Sequence, residues 1–126
     1  MPDPTPRLPR IAGWTLSLLC SALLTFSATM KFAGPPDMVA GFTHLGLPLT
    51  LARPLGVLEI ACVIVYLVPA TTILGAVLLT GYLGGAIVTH LRVGDPIVTQ
   101  VVLGVVVWGG VWLREPRLRA LLPLRR

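Results

Sequence analysis

Charge is scarce in this sequence, and its distribution excludes more than its amount. Charged residues make up 12% of the 126, against about 25% in an ordinary soluble domain. Nine of the fifteen lie in residues 1–10 and 114–126; only Lys31, Asp37, Arg53, Glu59, Arg92 and Asp95 fall between. A water-soluble fold needs polar surface on every element, and the central part of this chain has little to offer. A soluble enzyme, a disordered region and a nucleic-acid-binding domain are therefore excluded. Cysteine is nearly missing as well. Cys20 and Cys62 are the only two, and there is no C-x-x-C. A thiol buried in lipid is unreactive, so both read as small apolar residues, and a thiol-redox mechanism within the chain has no support. His44 and His90 lack metal-ligand spacing, so no metal is expected.

What the sequence does have is long apolar runs. Residues 1–10, with four prolines and two arginines, read as an extended basic lead-in. Ile11 to Met30 then runs twenty residues without a charge, enough to span the roughly 30 Å hydrocarbon core of a bilayer. The h-region of a secretory signal is about 7–15 residues, so a retained helix is expected here. Pro35, Pro36 and Asp37 look like a helix start, with Asp37 as N-cap. Met38, Phe42 and Leu45 share a face, and Gly46 with Pro48 reads as a stop. A short amphipathic helix in the membrane interface follows. Pro54 suits the first turn of the next helix. Ile60 to Leu91 holds 32 uncharged residues, too many for one span, and Pro69-Ala70-Thr71 is the natural break. Arg92 to Pro96 reads as a solvated turn.

The expected fold is thus an all-α membrane protein, a four-transmembrane-helix bundle with a short interfacial helix between its first two spans. The spans fall at about 11–32, 54–68, 72–91 and 97–113, and a basic tail occupies 114–126. Four spans put both ends of the chain on one side. That side carries Arg7, Arg10 and five arginines from Arg114 onward; the other carries Lys31, Arg53 and Arg92. The positive-inside rule then makes both ends cytoplasmic, in a cytoplasmic (inner) membrane, with Trp14 and Trp112 at the boundary. Gly13, Ser17, Ser21, Thr25 and Thr29 recur every four residues on the first span. Gly81 and Gly85, widened by Gly84, and then Gly104, Gly109 and Gly110 mark the third and fourth. All read as packing surfaces where backbones approach closely.

The chemistry points to Glu59. A carboxylate within a span costs about 2.5–3.5 kcal/mol on insertion scales, and Glu59 lies roughly 7.5 Å below Pro54 by helical rise. It needs a partner or a proton. Ser27 and Lys31 on the first span, Thr89 and His90 on the third, and Thr99 and Gln100 on the fourth fall at the same outer level. They imply a polar, outward-opening cavity with Glu59 at its floor and Tyr82 lining it from beneath. The other half of the membrane offers no comparable set. Beside this stands a plainer reading, in which Lys31 reaches the headgroups, Glu59 holds helices in register and His90 caps its helix.

Ser27-Ala28-Thr29-Met30-Lys31, Phe42-Thr43-His44-Leu45-Gly46, Leu55-Gly56-Val57-Leu58-Glu59, Val68-Pro69 and Ala86 to Arg92 together resemble the DoxX-like family of small four-helix membrane proteins, in the order and spacing of Lys31, Gly46, Glu59, Pro69 and His90. The resemblance covers about Trp14 to Leu113. It implies the fold, and beyond it an association with membrane redox complexes, some relatives being tied to a thiosulfate:quinone oxidoreductase. On that footing the cavity would bind a quinone or similar small lipophilic molecule. Lys31, His90 and Gln100 would donate hydrogen bonds, Glu59 would relay a proton, and Ser27 and Tyr82 would complete the site. The partners would be the lipid bilayer, a membrane-associated oxidoreductase subunit and, as a further option, a second copy. A non-catalytic accessory or assembly protein and a small proton-coupled exporter are the alternatives; in known exporters of this size the carboxylate sits on the first helix.

Overall fold

The computed structural model describes residues 6–125, and among these every regular element is helical. In chain order they are α1 (Arg7–Ala33), α2 (Pro36–Leu45), α3 (Ala52–Leu67), α4 (Thr72–Leu91), α5 (Val98–Arg114) and α6 (Pro116–Arg119), with single 3-10 turns at Leu49–Leu51 and Pro69–Thr71. Three helical stretches, Arg7–Ala33, Leu49–Leu67 and Pro69–Leu91, are long and apolar enough to cross a membrane; α5 is apolar but shorter. Their outer faces carry exposed Leu18, Leu23, Phe26, Ile64, Leu74 and Val105. An apolar surface of that extent suits lipid, not water.

Backbone chemistry sets the boundaries. Gly34 ends α1 in the left-handed conformation, φ 66°, and Gly46 ends α2 the same way at φ 72°. Leu47 N–H closes the second stop onto Phe42 O at 2.9 Å, a Schellman pattern that satisfies a carbonyl the helix leaves open. Pro69 stops α3. The Thr71 and Thr72 hydroxyls then donate to Val65 O and Tyr66 O, each at 2.7 Å, so the last turn of α3 is sealed by the first residues after it.

Three details differ from the sequence reading. α1 begins at Arg7, so the stretch expected to be extended is helical from there; Pro9 falls in the first turn, where no N–H partner is needed. The part of that expectation falling on residues 1–5 lies outside the described residues. Pro35, not Asp37, holds the N-cap position of α2, and Asp37 sits in its first turn without a capping bond. α3 starts at Ala52, which puts Pro54 third in the helix.

α1, α3, α4 and α5 close a ring in that order, each packed on the next and α5 on α1. Call the lower end the one with the start of α1, the 69–71 turn and the end of α5, and the upper end the one with α2 and the 92–97 turn. Cys20, Leu24, Cys62, Val63, Tyr66, Leu79 and Val107 form the core between them, and both cysteines are free and buried. The glycines that bring backbones together are at the lower end. A Cβ on Gly75 would lie 2.2 Å from Tyr66 Cα, and one on Gly13 2.6 Å from Gly110 O. Gly81, Gly84 and Gly85 pack against nothing; a Cβ on any of them meets no atom within 4 Å. Within this chain that G-x-x-x-G therefore makes no close helix contact: its glycines are exposed on α4, turned away from the face that meets Tyr66 at Gly75.

Candidate functional site

A cavity of about 690 Å³ lies in the upper half of the bundle. That size is within the roughly 300–1,000 Å³ of small-molecule sites. Leucine is its commonest lining residue, from Leu23 and Leu24 on α1 to Leu55 and Leu58 on α3, Leu83 on α4 and Leu103 on α5. Ser27, Lys31, Glu59, Tyr82, His90 and Gln100 all line it, with Thr89 and Thr99. Polar residues as far apart as Ser27 and Gln100 thus share one space.

Glu59 has the company its burial demands. Lys31 Nζ donates to Glu59 Oε1 at 2.9 Å and to Ser27 Oγ at 2.7 Å. The side chains are 13% and 2% exposed. Lys31 therefore turns down into the bundle and does not reach out to headgroups. Burial removes hydration from both ions, and their attraction in a low dielectric roughly offsets that cost; the pair fixes α1 against α3 more than it stabilises the fold. Tyr82, on α4, brings its phenol beside the same carboxyl group.

On the opposite wall the hydrogen-bond pattern assigns a tautomer. His90 Nδ1 lies 2.8 Å from Ala86 O. A carbonyl only accepts, so Nδ1 carries the proton. The Gln100 amide sits 3.3 Å from the same nitrogen. An N–H cannot donate to a nitrogen that already bears hydrogen, so Gln100 must present its oxygen there and its NH₂ elsewhere. As placed, Oε1 is the end of the amide that is buried without a partner. His90 thus bonds within its own helix end and has the Gln100 amide beside it at the cavity wall.

α2 contributes to the cavity where the sequence suggested an outward opening. Phe42 and Leu45 of α2, with Leu47 and Leu51 after it, lie across the top, and Phe42 is buried. Two contacts pin this roof. His44 Nε2 meets Asp95 Oδ1 at 2.8 Å, and the Arg92 guanidinium donates to Leu45 O. The Arg92–Asp95 turn, expected to be free and solvated, is what holds α2 down.

The lower half also corrects the sequence reading, for it contains a second polar cluster. The Tyr66 hydroxyl donates to Val107 O at 2.7 Å and pairs with Ser17 Oγ at 2.8 Å. Arg114 donates to Ser17 Oγ at 3.2 Å and Thr72 Oγ1 at 2.9 Å, and its guanidinium lies 4.0 Å from the Trp14 ring centre. Such a cation–π contact strengthens as water is excluded. Arg114 therefore belongs to the bundle and not to a loose basic tail. Neither Tyr66 nor Arg114 was singled out from sequence. Arg114 was counted only as a charge at a span end, although its place one turn from Gly110 was a usable signal. Among the described residues no three His, Cys, Asp or Glu side chains converge to hold a metal ion.

The model of the DoxX-like family matches residues 15–113. No curated protein and no solved structure gives a significant match to the chain. The family match spans well over half of the 126 residues, and the chain belongs to the DoxX-like family. With its long apolar helices, it is a multi-pass membrane protein.

Proposed function

We propose that this DoxX-like membrane protein binds a small lipophilic molecule with polar groups, of the quinone class, in its upper cavity, as a subunit associated with membrane redox chemistry. The observation that carries the reading is the combination in one space of leucine walls, a buried Lys31–Glu59 pair and a Gln100 amide with one end unsatisfied. A quinone needs an apolar slot and a donor at each carbonyl. The Gln100 NH₂, turned away from His90, supplies one, and Lys31 supplies the other. Glu59, with Tyr82 beside it, stands where a proton would be passed to a reduced ring.

The same reading makes α5 a fourth crossing. Its 17 residues reach the lower limit of a span, about 17–25 residues. Both ends of the chain then face the cytoplasm across an inner membrane. Lys31 and Arg114 are drawn inside, so the earlier seven against three positive residues becomes six against two, with the same sign.

The test is the extract of protein purified in native lipid. Quinone absorbance should accompany the wild type and fall in Glu59→Gln. An extract free of any such molecule would sink the proposal. One observation favours a second reading: Lys31, Ser27 and Glu59 already satisfy one another. A non-catalytic accessory protein would look the same there. In that case Glu59→Gln lowers thermal stability with no ligand to lose, and crosslinking in intact membranes captures a specific membrane partner.

A further inference from the structure

We propose that the molecule held in this cavity is a single-tailed amphiphile whose tail leaves the bundle sideways, between α3 and α4, across Gly81 and Gly85. The inference rests on the ligand-binding reading above and specifies its substrate class and orientation.

The exits can be taken in turn. The top is roofed by Phe42, Leu45 and Leu47 and pinned by the His44–Asp95 and Arg92–Leu45 contacts. Between α1 and α3, Phe32 lies against Gly56, where a Cβ would come 3.1 Å from its ring. Between α4 and α5, Trp108 Nε1 donates to Thr80 Oγ1 at 2.7 Å, bridging the helices. Between α1 and α5, Leu23 lines the cavity and is 60% exposed, so that side also reaches the surface, but through a leucine side chain where α4 has only glycine. Between α3 and α4 there is no such plug. Gly81 and Gly85 both line the cavity and are both exposed on the bundle surface. Leu58, on the α3 edge that faces them, also lines it and is 48% exposed. The cavity wall and the lipid-facing surface are the same residues here.

Polarity runs the right way for a headed tail. Lys31, Glu59, His90 and Gln100 gather the polar contacts inside, while the gap offers leucine and glycine backbone, with the Thr89 hydroxyl already spent on Gly85 O. A tail lying there would replace lipid contacts with similar ones, and a polar head would gain partners it lacks in hydrocarbon. Gly84 supplies an internal control. It lies between the other two in sequence and is equally unobstructed, yet does not line the cavity.

The experiment uses the full chain in lipid nanodiscs and two probes: a dimethoxybenzoquinone with a ten-carbon alkyl tail, and the same ring with a methyl in its place. Gly81→Leu and Gly85→Leu should weaken the tailed probe by about tenfold or more, because the added side chain occupies the path of the tail and seating both is overpacked, and leave the methyl probe unchanged. Gly84→Leu should change neither. Unaltered binding of the tailed probe in the first two variants overturns the proposal, as does equal loss of both probes. Loss on Leu23→Trp alone would move the exit to the α1–α5 side and overturn it too. If the three leucine variants change only the oligomeric state, the glycine face is covered by a second copy and the tail path is wrong. Failure of both probes on the wild type removes the ligand reading itself; binding of both, insensitive to every substitution, removes only the path.

Discussion

The two polar clusters of this bundle use the same kinds of group to opposite ends. At the lower end Ser17, Tyr66, Thr72 and Arg114 are drawn together where helix backbones come into close contact. At the upper end Ser27, Lys31, Glu59, Tyr82, His90 and Gln100 surround a space of about 690 Å³. Glycine marks the contrast. Gly13, Gly75 and Gly110 are required because a Cβ would strike backbone or a hydroxyl, whereas Gly81, Gly84 and Gly85 have room for one. Small residues in a membrane helix can therefore mean closeness or emptiness. The difference separates the end where helices pack most closely from the end that encloses a cavity.

The sharpest way to break this comparison is to add one methyl group at each end. Gly75→Ala puts a carbon 2.2 Å from Tyr66 Cα, where only backbone movement can relieve it. A loss of about 3 kcal/mol or more is expected from overpacking of this kind, read as a large drop in the thermal midpoint in detergent. The upper ion pair should give the next largest effect. Glu59→Gln strips a nearly buried lysine of its partner. About 2 kcal/mol is expected, below the 3–5 of a fully buried pair because Lys31 keeps some access to solvent. Lys31→Met combined with Glu59→Gln should recover much of it in the same melt. Tyr66→Phe removes two hydrogen bonds at the lower end and should cost about 1–2 kcal/mol, without affecting quinone content. Gly84→Ala should raise the midpoint, by up to about 1 kcal/mol, since it replaces helix glycine where nothing is in the way. Destabilisation there would mean that the two ends do not differ as the structure has them. Smallest is Asp95→Asn, which cuts one pin of the roof at a largely exposed pair. A few tenths of a kcal/mol is expected, with faster hydrogen exchange in α2 as the clearer readout.

The sequence exposed what depends on local chemistry. Proline, glycine and the few charges delimited the helices to within a few residues, and the 72–91 helix was read with its observed bounds. Lys31 and Glu59 were legible as a pair because each is alone in an apolar run. Tyr66 and Arg114 were not, because a tyrosine in an apolar helix reads as core or lipid-facing, and an arginine at a span end reads as a headgroup anchor. Only the helix crossing at Gly75 and Gly110 brings them together. The roof was hidden for a similar reason: His44 and Asp95 are 51 positions apart and look solvated until α2 folds over the bundle. Spacing alone could not sort Gly81 from Gly110 either, since what distinguishes them is the neighbour across the gap.

The contact at Gly75 also acts as the fulcrum of a lever. From there to His90, α4 extends fifteen residues, roughly 22 Å by helical rise. A tilt of only about three degrees about that pivot moves the far tip by roughly 1 Å. Thickness or lateral pressure in the surrounding lipid that nudges this helix would reach the His90–Gln100 wall amplified, while the clamped end stays still.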